Sequence, residues 1–551
     1  MILIIIVFLL NLIIITALGT WLQNNLFKAD KNTLPFLLFN GLAVYMLLIW
    51  MVLYFYRFDW ILQLLMLVWA VFYLRKYPDY LQGLIQVFNG FSKTHKVVFW
   101  LTVILVLLLT TGNSYLPDNE SYYIQTIKWA NEQGFARGLI NIHPFLGQFS
   151  GWHILQAGFN VHNVLFALTF NDLNALFFLI FLFYWLWFYT ERFQSQNYWF
   201  VLWPVVLVLL LFFIDSPSPD LPVILLSLIV FDLFIQNYNI ARPQLLLQLF
   251  ILALFSFLIK PTAFVNLLLA ILLIIKHRRL IKGQLYLYVI FGLTGLFLWL
   301  SKNYLITGYL FYPFKFGGRW LHPAWQYPDE LMQYMNQLGK RDSWAIDGQY
   351  NVIIGFWQWL QQPGWHRFSN GLFVIVLLVF PWILYFKRNK WYGLKAYLII
   401  YFLGLFYFIL LLFISPNIRF LLAFLLFFIP VIVLLCLPAN FNKYLNVSGW
   451  LIFLIAGIYL IGRQNYNSIN ILVPKPVSKL SYRFMSRQDG NFKYYYPYEE
   501  HLFWQTGDAP LPAVYYRQLE YFKTHTGYLP QKLPDKKSAY FSKPIDTSQS
   551  Y

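Results

Sequence analysis

The sequence predicts an all-α polytopic membrane protein of about fourteen spans, and three observations carry that prediction. Only 11% of the 551 residues are charged, less than half the roughly 25% usual in soluble domains. Apolar residues make up 60% of the chain and collect in repeated runs near the length that crosses a hydrocarbon core. Those runs are continuous, without the apolar–polar alternation of an outer-membrane barrel. A soluble enzyme, a disordered scaffold and a nucleic-acid-binding module are excluded on the same grounds.

The runs fall at 1–22, 33–56, 59–74, 97–112, 163–190, 198–214, 221–236, 244–259, 262–275, 284–301, 370–386, 396–414, 420–437 and 447–461. The first has no basic n-region and no small-residue cleavage site, so it reads as a span and not a cleaved signal. Alternating the connections places 17 Lys and Arg on one side and 5 in the short loops of the other. The positive-inside rule assigns the richer side to the cytoplasm. The N-terminus, the 113–160 and 302–369 loops and the 462–551 tail then lie outside, as a transmembrane domain over 1–461 and an extracytoplasmic C-terminal region. The expected location is the cytoplasmic (inner) membrane of a bacterium. Cys436 is the sole cysteine, so no intramolecular disulfide forms. The cytoplasmic turns carry no Walker A or Gly-rich dinucleotide pattern, which moves the expected chemistry to the outer face.

In the 113–160 loop, Pro117 stops a span and Asp118-Asn119-Glu120 follows at once. The stretch 120–133 has Tyr123, Ile124, Ile127 and Ala130 at helical spacing, which predicts an amphipathic helix along the interface. Gly134 and Gly138 are expected to end it and turn the chain.

This loop resembles the first periplasmic loop of the GT-C-fold membrane glycosyltransferase superfamily. It is more similar still to a family of uncharacterised bacterial polytopic membrane proteins related to that fold. The residues that carry the resemblance are Asp118, Tyr122, Ile127-Lys128-Trp129, Gly134, Gly138-Leu139 and Asn141-Ile142-His143, with Trp504 to Pro512 in the tail. The resemblance implies transfer of a sugar from a polyprenyl-phosphate-linked donor, in the bilayer, to an acceptor saccharide, lipid or protein. No nucleic acid is implied.

Such a transfer needs a base for the acceptor hydroxyl and positive charge for the departing phosphate. By resemblance Asp118 is the base, with Glu120 as neighbour or alternate; the competing reading makes Asp118 an N-cap of the 120–133 helix. Because short-loop cations are scarce outside, Lys260 in Ile259-Lys260-Pro261 and Arg419 in Asn417-Ile418-Arg419 are the phosphate candidates. Their alternative is to snorkel into headgroups. Asp215 and Asp220 flank a Ser-Pro-Ser-Pro turn; Asp220 reads first as a partner of its helix dipole, and Asp215 as a possible companion of Asp118 around an acceptor or divalent cation. His143 is a further substrate-side candidate, ten residues before His153. No cofactor motif is present; oxygen ligands favour Mg or Mn over zinc, and no metal site is assigned.

The 302–369 loop and the tail are rich in aromatic residues, suited either to stacking on sugar rings or to the membrane belt. Ionisable groups inside the spans are few, Asp232 among them. That distribution favours a one-sided enzyme over the alternatives, a transporter or flippase of lipid-linked saccharides or a non-catalytic assembly partner.

Overall fold

The computed structural model describes residues 2–27, 33–112, 114, 116–160, 172–192, 202–316, 321–344, 352–387, 393–436, 442–463, 478, 483–498, 505–534 and 539–544. Helix dominates because apolar runs in hydrocarbon must satisfy their backbone groups internally. Each of the fourteen predicted apolar segments contains a helix. Among the described residues ten helices are long and apolar enough to cross a bilayer, and three further apolar helices, Trp203–Phe213, Pro243–Ile259 and Pro261–Lys276, are shorter. The remaining segment is the first arm of a helix pair bent by 82°. The chain is an all-α, multi-pass membrane protein.

Helix α1 (Ile2–Leu22) packs along α2 (Leu37–Leu53) at backbone contact. A Cβ on Gly19 would stand 2.1 Å from the Leu37 carbonyl oxygen, and one on Gly41 would stand 1.8 Å from that of Ile15. Small residues permit this approach where no hydrophobic force drives helix association. Asp59 caps α3 (Trp60–Lys76) through the Leu62 N–H, and Pro78 then starts α4 (Pro78–Asn89) in a new direction. Helix α5 (Lys93–Thr110), capped by Ser92, leads to the first long loop.

That loop holds α6 (Ile124–Glu132), entered through a π-helical turn at Asn119–Tyr123, and α7 (Gly151–Phe159). Gly134 and Gly138 end α6 and turn the chain with positive φ, as expected. The predicted exposure of this helix is corrected: Ile124 to Ile127 and Trp129 to Asn131 are all buried. Its apolar side meets protein, and its polar Gln125 is covered by the tail.

The bundle continues through α8 (Leu173–Arg192), α9 (Trp203–Leu210), α10 (Asp220–Asn237), α11 (Pro243–Ile259), α12 (Phe264–Lys276) and α13 (Leu285–Thr307). Helix α14 (Asp329–Trp344) and α15 (Val352–Gln361) fill the second loop. Then come α16 (Trp365–Phe386), α17 (Leu394–Ile414), α18 (Ile418–Cys436) and α19 (Asn442–Arg463). Helices α13 and α16 extend past the predicted apolar limits because they carry Lys302, Asn303, His366 and Arg367 in their end turns. The tail folds as an antiparallel hairpin β1 (Phe484–Asp489) and β2 (Phe492–Pro497), α20 (Tyr516–Thr526), and a second antiparallel pair β3 (Tyr528–Lys532) and β4 (Tyr540–Pro544).

Two sets of polar side chains inside the bundle bridge neighbouring helices. Asn40 of α2 and Gln248 of α11 exchange two amide hydrogen bonds at 2.9 and 2.8 Å. Asn266 of α12 donates to Ser227 and Ser256, each at 2.9 Å.

Replacing Gly41 by Leu forces α1 and α2 apart. Overpacking of this kind costs about 1–3 kcal/mol or more, so the Tm of the purified protein in detergent is expected to fall by several degrees. An unchanged Tm would mean that the two backbones are not in contact.

Candidate functional site

Three helix ends and the start of the first loop meet at one end of the bundle. The Pro219–Asp220 step starts α10, and the Asp220 N–H donates to Ser218 Oγ at 3.3 Å. Helix α11 stops at Lys260 because Pro261 cannot continue its ladder; the Lys260 N–H still reaches the Ser256 carbonyl at 3.0 Å. Asn417 caps α18 by accepting the Arg419 N–H at 3.1 Å.

These ends bring together Asp118, Asp220, Lys260 and Arg419. Lys260 Nζ bonds Asp220 Oδ1 and stands 4.5 Å from the centre of the Phe420 ring. Arg419 Nη1 lies 3.8 Å from Asp220 Oδ2 and donates to Asp118 Oδ2 at 3.1 Å. The Tyr123 hydroxyl donates to the same Asp118 oxygen at 3.4 Å. The result is an unbroken row, Tyr123–Asp118–Arg419–Asp220–Lys260, with two acids matched to two bases. Exposure grades along it: the Asp220 side chain is 5% exposed, and those of Asp118 and Arg419 are 30% and 36%.

The N-cap reading of Asp118 is corrected, since its side chain makes no capping bond and turns instead to Arg419. Glu120 is corrected too. It is buried away from the row and accepts from Ser478 Oγ at 2.6 Å. Two residues along a helix is about half a turn, which separates the two carboxylates. The ion-pair row passes through Asp220, with Asp215 buried earlier on the same turn. Arg419 occupies the place between Asp118 and Asp220 where a divalent cation would bridge them. Among the described residues no group of three or more His, Cys, Asp or Glu is placed to hold a metal ion.

The two histidines stand behind the row. His143 Nδ1 accepts the Phe145 N–H at 3.1 Å, fixing a tight turn. The buried His153 ring lies 4.8 Å from that of Tyr123. Burial pushes the His153 imidazole down to about 3, opposed by the Pro217 carbonyl and reinforced by nearby Lys260. Burial also raises the Tyr122 and Tyr123 phenols well above their usual range, and the adjacent carboxylate of Asp118 adds to it. Tyr123 and the capping Asn417 were not singled out by the sequence; a tyrosine at a membrane surface is indistinguishable from the aromatic belt.

Below the row, between α10, α12, α17 and α18, is a cavity of about 30 Å³ lined by Ser227, Thr262, Asn266, Tyr407 and Phe424 as well as Asp220 and Arg419. It has room for one or two waters.

The tail seals the opposite side of the first loop. The Thr506 and Gly507 N–H groups donate to the Glu120 carbonyl at 3.0 and 2.9 Å. Gln125 donates to the carbonyls of Gly507 and Ala509, and Lys128 Nζ pairs with Asp508 Oδ1 at 2.9 Å. Farther along, Asn141 donates to the carbonyls of Gly138, Trp325 and Tyr540. A Cβ on Gly138 would stand 2.0 Å from the Tyr540 oxygen. The loop motif and the 505–512 part of the tail motif therefore face each other; Trp504 lies outside the described residues.

Residues 1–426 match the family model described as a domain of unknown function, DUF8201. The chain belongs to that family. The matched stretch includes all four members of the ion-pair row and ends within α18, before the tail. No curated protein and no solved structure matches the chain.

Two outcomes follow from this geometry. His153 binds its proton more weakly when folded, so its contribution to stability is complete above about pH 6.5 and is lost as pH falls towards 3. The expected slope is at most about 1.4 kcal/mol per pH unit, and His153→Phe flattens that part of the stability profile. Lys128→Met releases Asp508, so hydrogen exchange of the 120–132 amides and proteolysis after residue 505 should both accelerate. Unchanged protection would mean that the tail does not hold α6.

Proposed function

We propose that this protein is a membrane glycosyltransferase of GT-C type, moving a sugar from a polyprenyl-phosphate-linked donor to an acceptor at the outer face of the cytoplasmic membrane. The observation that carries the reading is the convergence of Asp118, Arg419, Asp220 and Lys260 from four distant parts of the chain. The charge distribution of the short loops supports an extracytoplasmic location for this end, with all fourteen apolar helices counted as spans.

In the proposed reaction the lipid phosphate enters beside Arg419 and draws the guanidinium from Asp118. Arginine suits this role because its paired donors match phosphate oxygens. The freed carboxylate accepts the proton of the acceptor hydroxyl, whose oxygen attacks the anomeric carbon. The bond from that carbon to the phosphate oxygen breaks, and its electron pair leaves with the lipid phosphate. Lys260 and Arg419 stabilise the charge that develops there. Asp220 holds both cations in place and touches no reacting atom, so it is a positioning residue.

Transport of a lipid-linked saccharide is the weaker reading. Several polar groups within the bundle are engaged with one another, as in the Asn40–Gln248 and Asn266–Ser227 pairs and in Asp232, which accepts from Gln236.

The test uses the purified protein in liposomes with radiolabelled polyprenyl-phosphate hexoses and a panel of acceptor glycans. The wild type is expected to release free polyprenyl phosphate. Asp118→Asn is expected to slow release by about 10²- to 10⁴-fold, the usual worth of a general base, while Glu120→Gln retains turnover. Donor movement across the bilayer without release would support a flippase; equal turnover by Asp118→Asn would remove the catalytic assignment.

A further inference from the structure

On the side of the bundle remote from the ion-pair row, two adjoining apolar helices meet at a sharp bend. Helix α3 ends in Arg75 and Lys76, Pro78 supplies the first turn of α4, and the two axes differ by 82°. The residue before a proline is steered out of the α region, and Tyr77 breaks the helix there with φ −128° and ψ 66°. Helix α4 thus runs crosswise to the span that precedes it.

Its sequence divides cleanly around the axis. At 100° per residue, Asp79, Gln82, Gln86 and Asn89 occupy one arc, and Tyr80, Leu81, Leu84, Ile85, Val87 and Phe88 occupy the opposite one. Part of the apolar arc is already used, since Phe88 meets the rings of Phe91 and Phe99, and at its border Gly83 lies against Leu34. The outer edge is not. Leu81 and Ile85 are 43% and 51% exposed, and no residue of α4 is buried.

The helix is also flanked by positive charge. Arg75, Lys76 and Lys93 are exposed, and Lys96 Nζ reaches back to the Asn89 carbonyl at 2.8 Å, against a single acid, Asp79. At the bend Trp69 stacks on Tyr73, whose ring meets that of Tyr77 at a tilt of 40°, with Lys76 over the Tyr77 ring. Aromatic ladders and basic side chains together mark the headgroup level of a bilayer.

We propose that α4 is an in-plane interfacial helix whose docking partner is an anionic phospholipid leaflet. Leu81 and Ile85 enter the acyl boundary, the Gln82–Gln86 arc faces water, and Arg75, Lys76 and Lys93 engage the phosphates. A helix with a sharply divided surface, exposed apolar edge and basic flanks is stabilised by both terms in such a leaflet. The inference is independent of the chemistry proposed for the opposite end.

The experiment places a single environment-sensitive label at Ile85→Cys or Gln86→Cys in the full chain, with Cys436→Ser as background. The protein is reconstituted in phosphatidylcholine vesicles with and without phosphatidylglycerol. The label at 85 is expected to be quenched by spin-labelled lipid and that at 86 by aqueous iodide. Spin-labelled phosphatidylglycerol should associate about fivefold more than phosphatidylcholine, one basic contact's worth. The triple variant Arg75→Gln, Lys76→Gln, Lys93→Gln should bring that ratio near one. Iodide access equal at both positions would overturn the in-plane placement. A ratio near one in the wild type would overturn the anionic partner, and shielding at 85 that rises with protein density would assign the edge to a second copy.

Discussion

The Arg419 guanidinium is the joint on which the polar end of this protein depends. It stands at the start of a late helix and reaches Asp118 in the first loop and Asp220 at the head of α10. Without it two carboxylates would face each other next to hydrocarbon, where an isolated charge is costly. Lys260 completes the balance from a fourth segment. The constraint is mutual: the loop's Asp118 carboxylate is balanced by Arg419 at a helix end, and the positive charge of Arg419 and Lys260 is balanced by Asp118 and Asp220 together. The tail acts on the same loop from behind, through Gln125, Lys128 and the Glu120 carbonyl. The π-helical turn that follows Asp118 is held between the two.

Much of the fold was legible because hydrocarbon imposes so simple a rule on composition. The fourteen apolar segments each contain a helix, and errors gather at helix ends, where Lys302 and Arg367 lower hydropathy without ending the ladder. Lys260 and Arg419 stood out because positive charge is scarce in the short loops of that face, and scarcity is visible without an alignment; Asp118 was marked instead by the resemblance of its loop. Their mutual contact was not visible, since nothing in a linear sequence says that residues 118, 220, 260 and 419 share one end of a bundle. Glu120 was misplaced for a local reason: adjacent acids look equivalent on paper, but half a helical turn sends one to Arg419 and the other to Ser478. The helix around 120–133 was misread as an interfacial one because its apolar spacing is the same whether lipid or protein covers it.

The two ends of the molecule handle surface charge differently. At the row, acids and bases are matched and partly withdrawn from solvent. At the α3–α4 bend, cations are exposed and outnumber the one acid. Matched charge next to a membrane holds protein segments together; unmatched charge there seeks a partner outside the chain.

The gradient of exposure along the row also decides where it can open. Ion pairs in contact with water are individually worth about 0–1 kcal/mol, whereas separating a buried pair strands a charge at several times that cost. The Asp118–Arg419 contact is about one-third exposed on both sides, and the Asp220 carboxylate that anchors Lys260 is almost wholly enclosed. An arriving anion therefore finds Arg419 able to change partners while Asp220 and Lys260 stay joined. On the reading proposed above, that asymmetry is what frees the Asp118 carboxylate at the moment phosphate binds. On that same reading it also accounts for the base and the anchor being different residues: a carboxylate buried as deeply as Asp220 has no route to an incoming hydroxyl, and one as accessible as Asp118 would not by itself hold two cations in register.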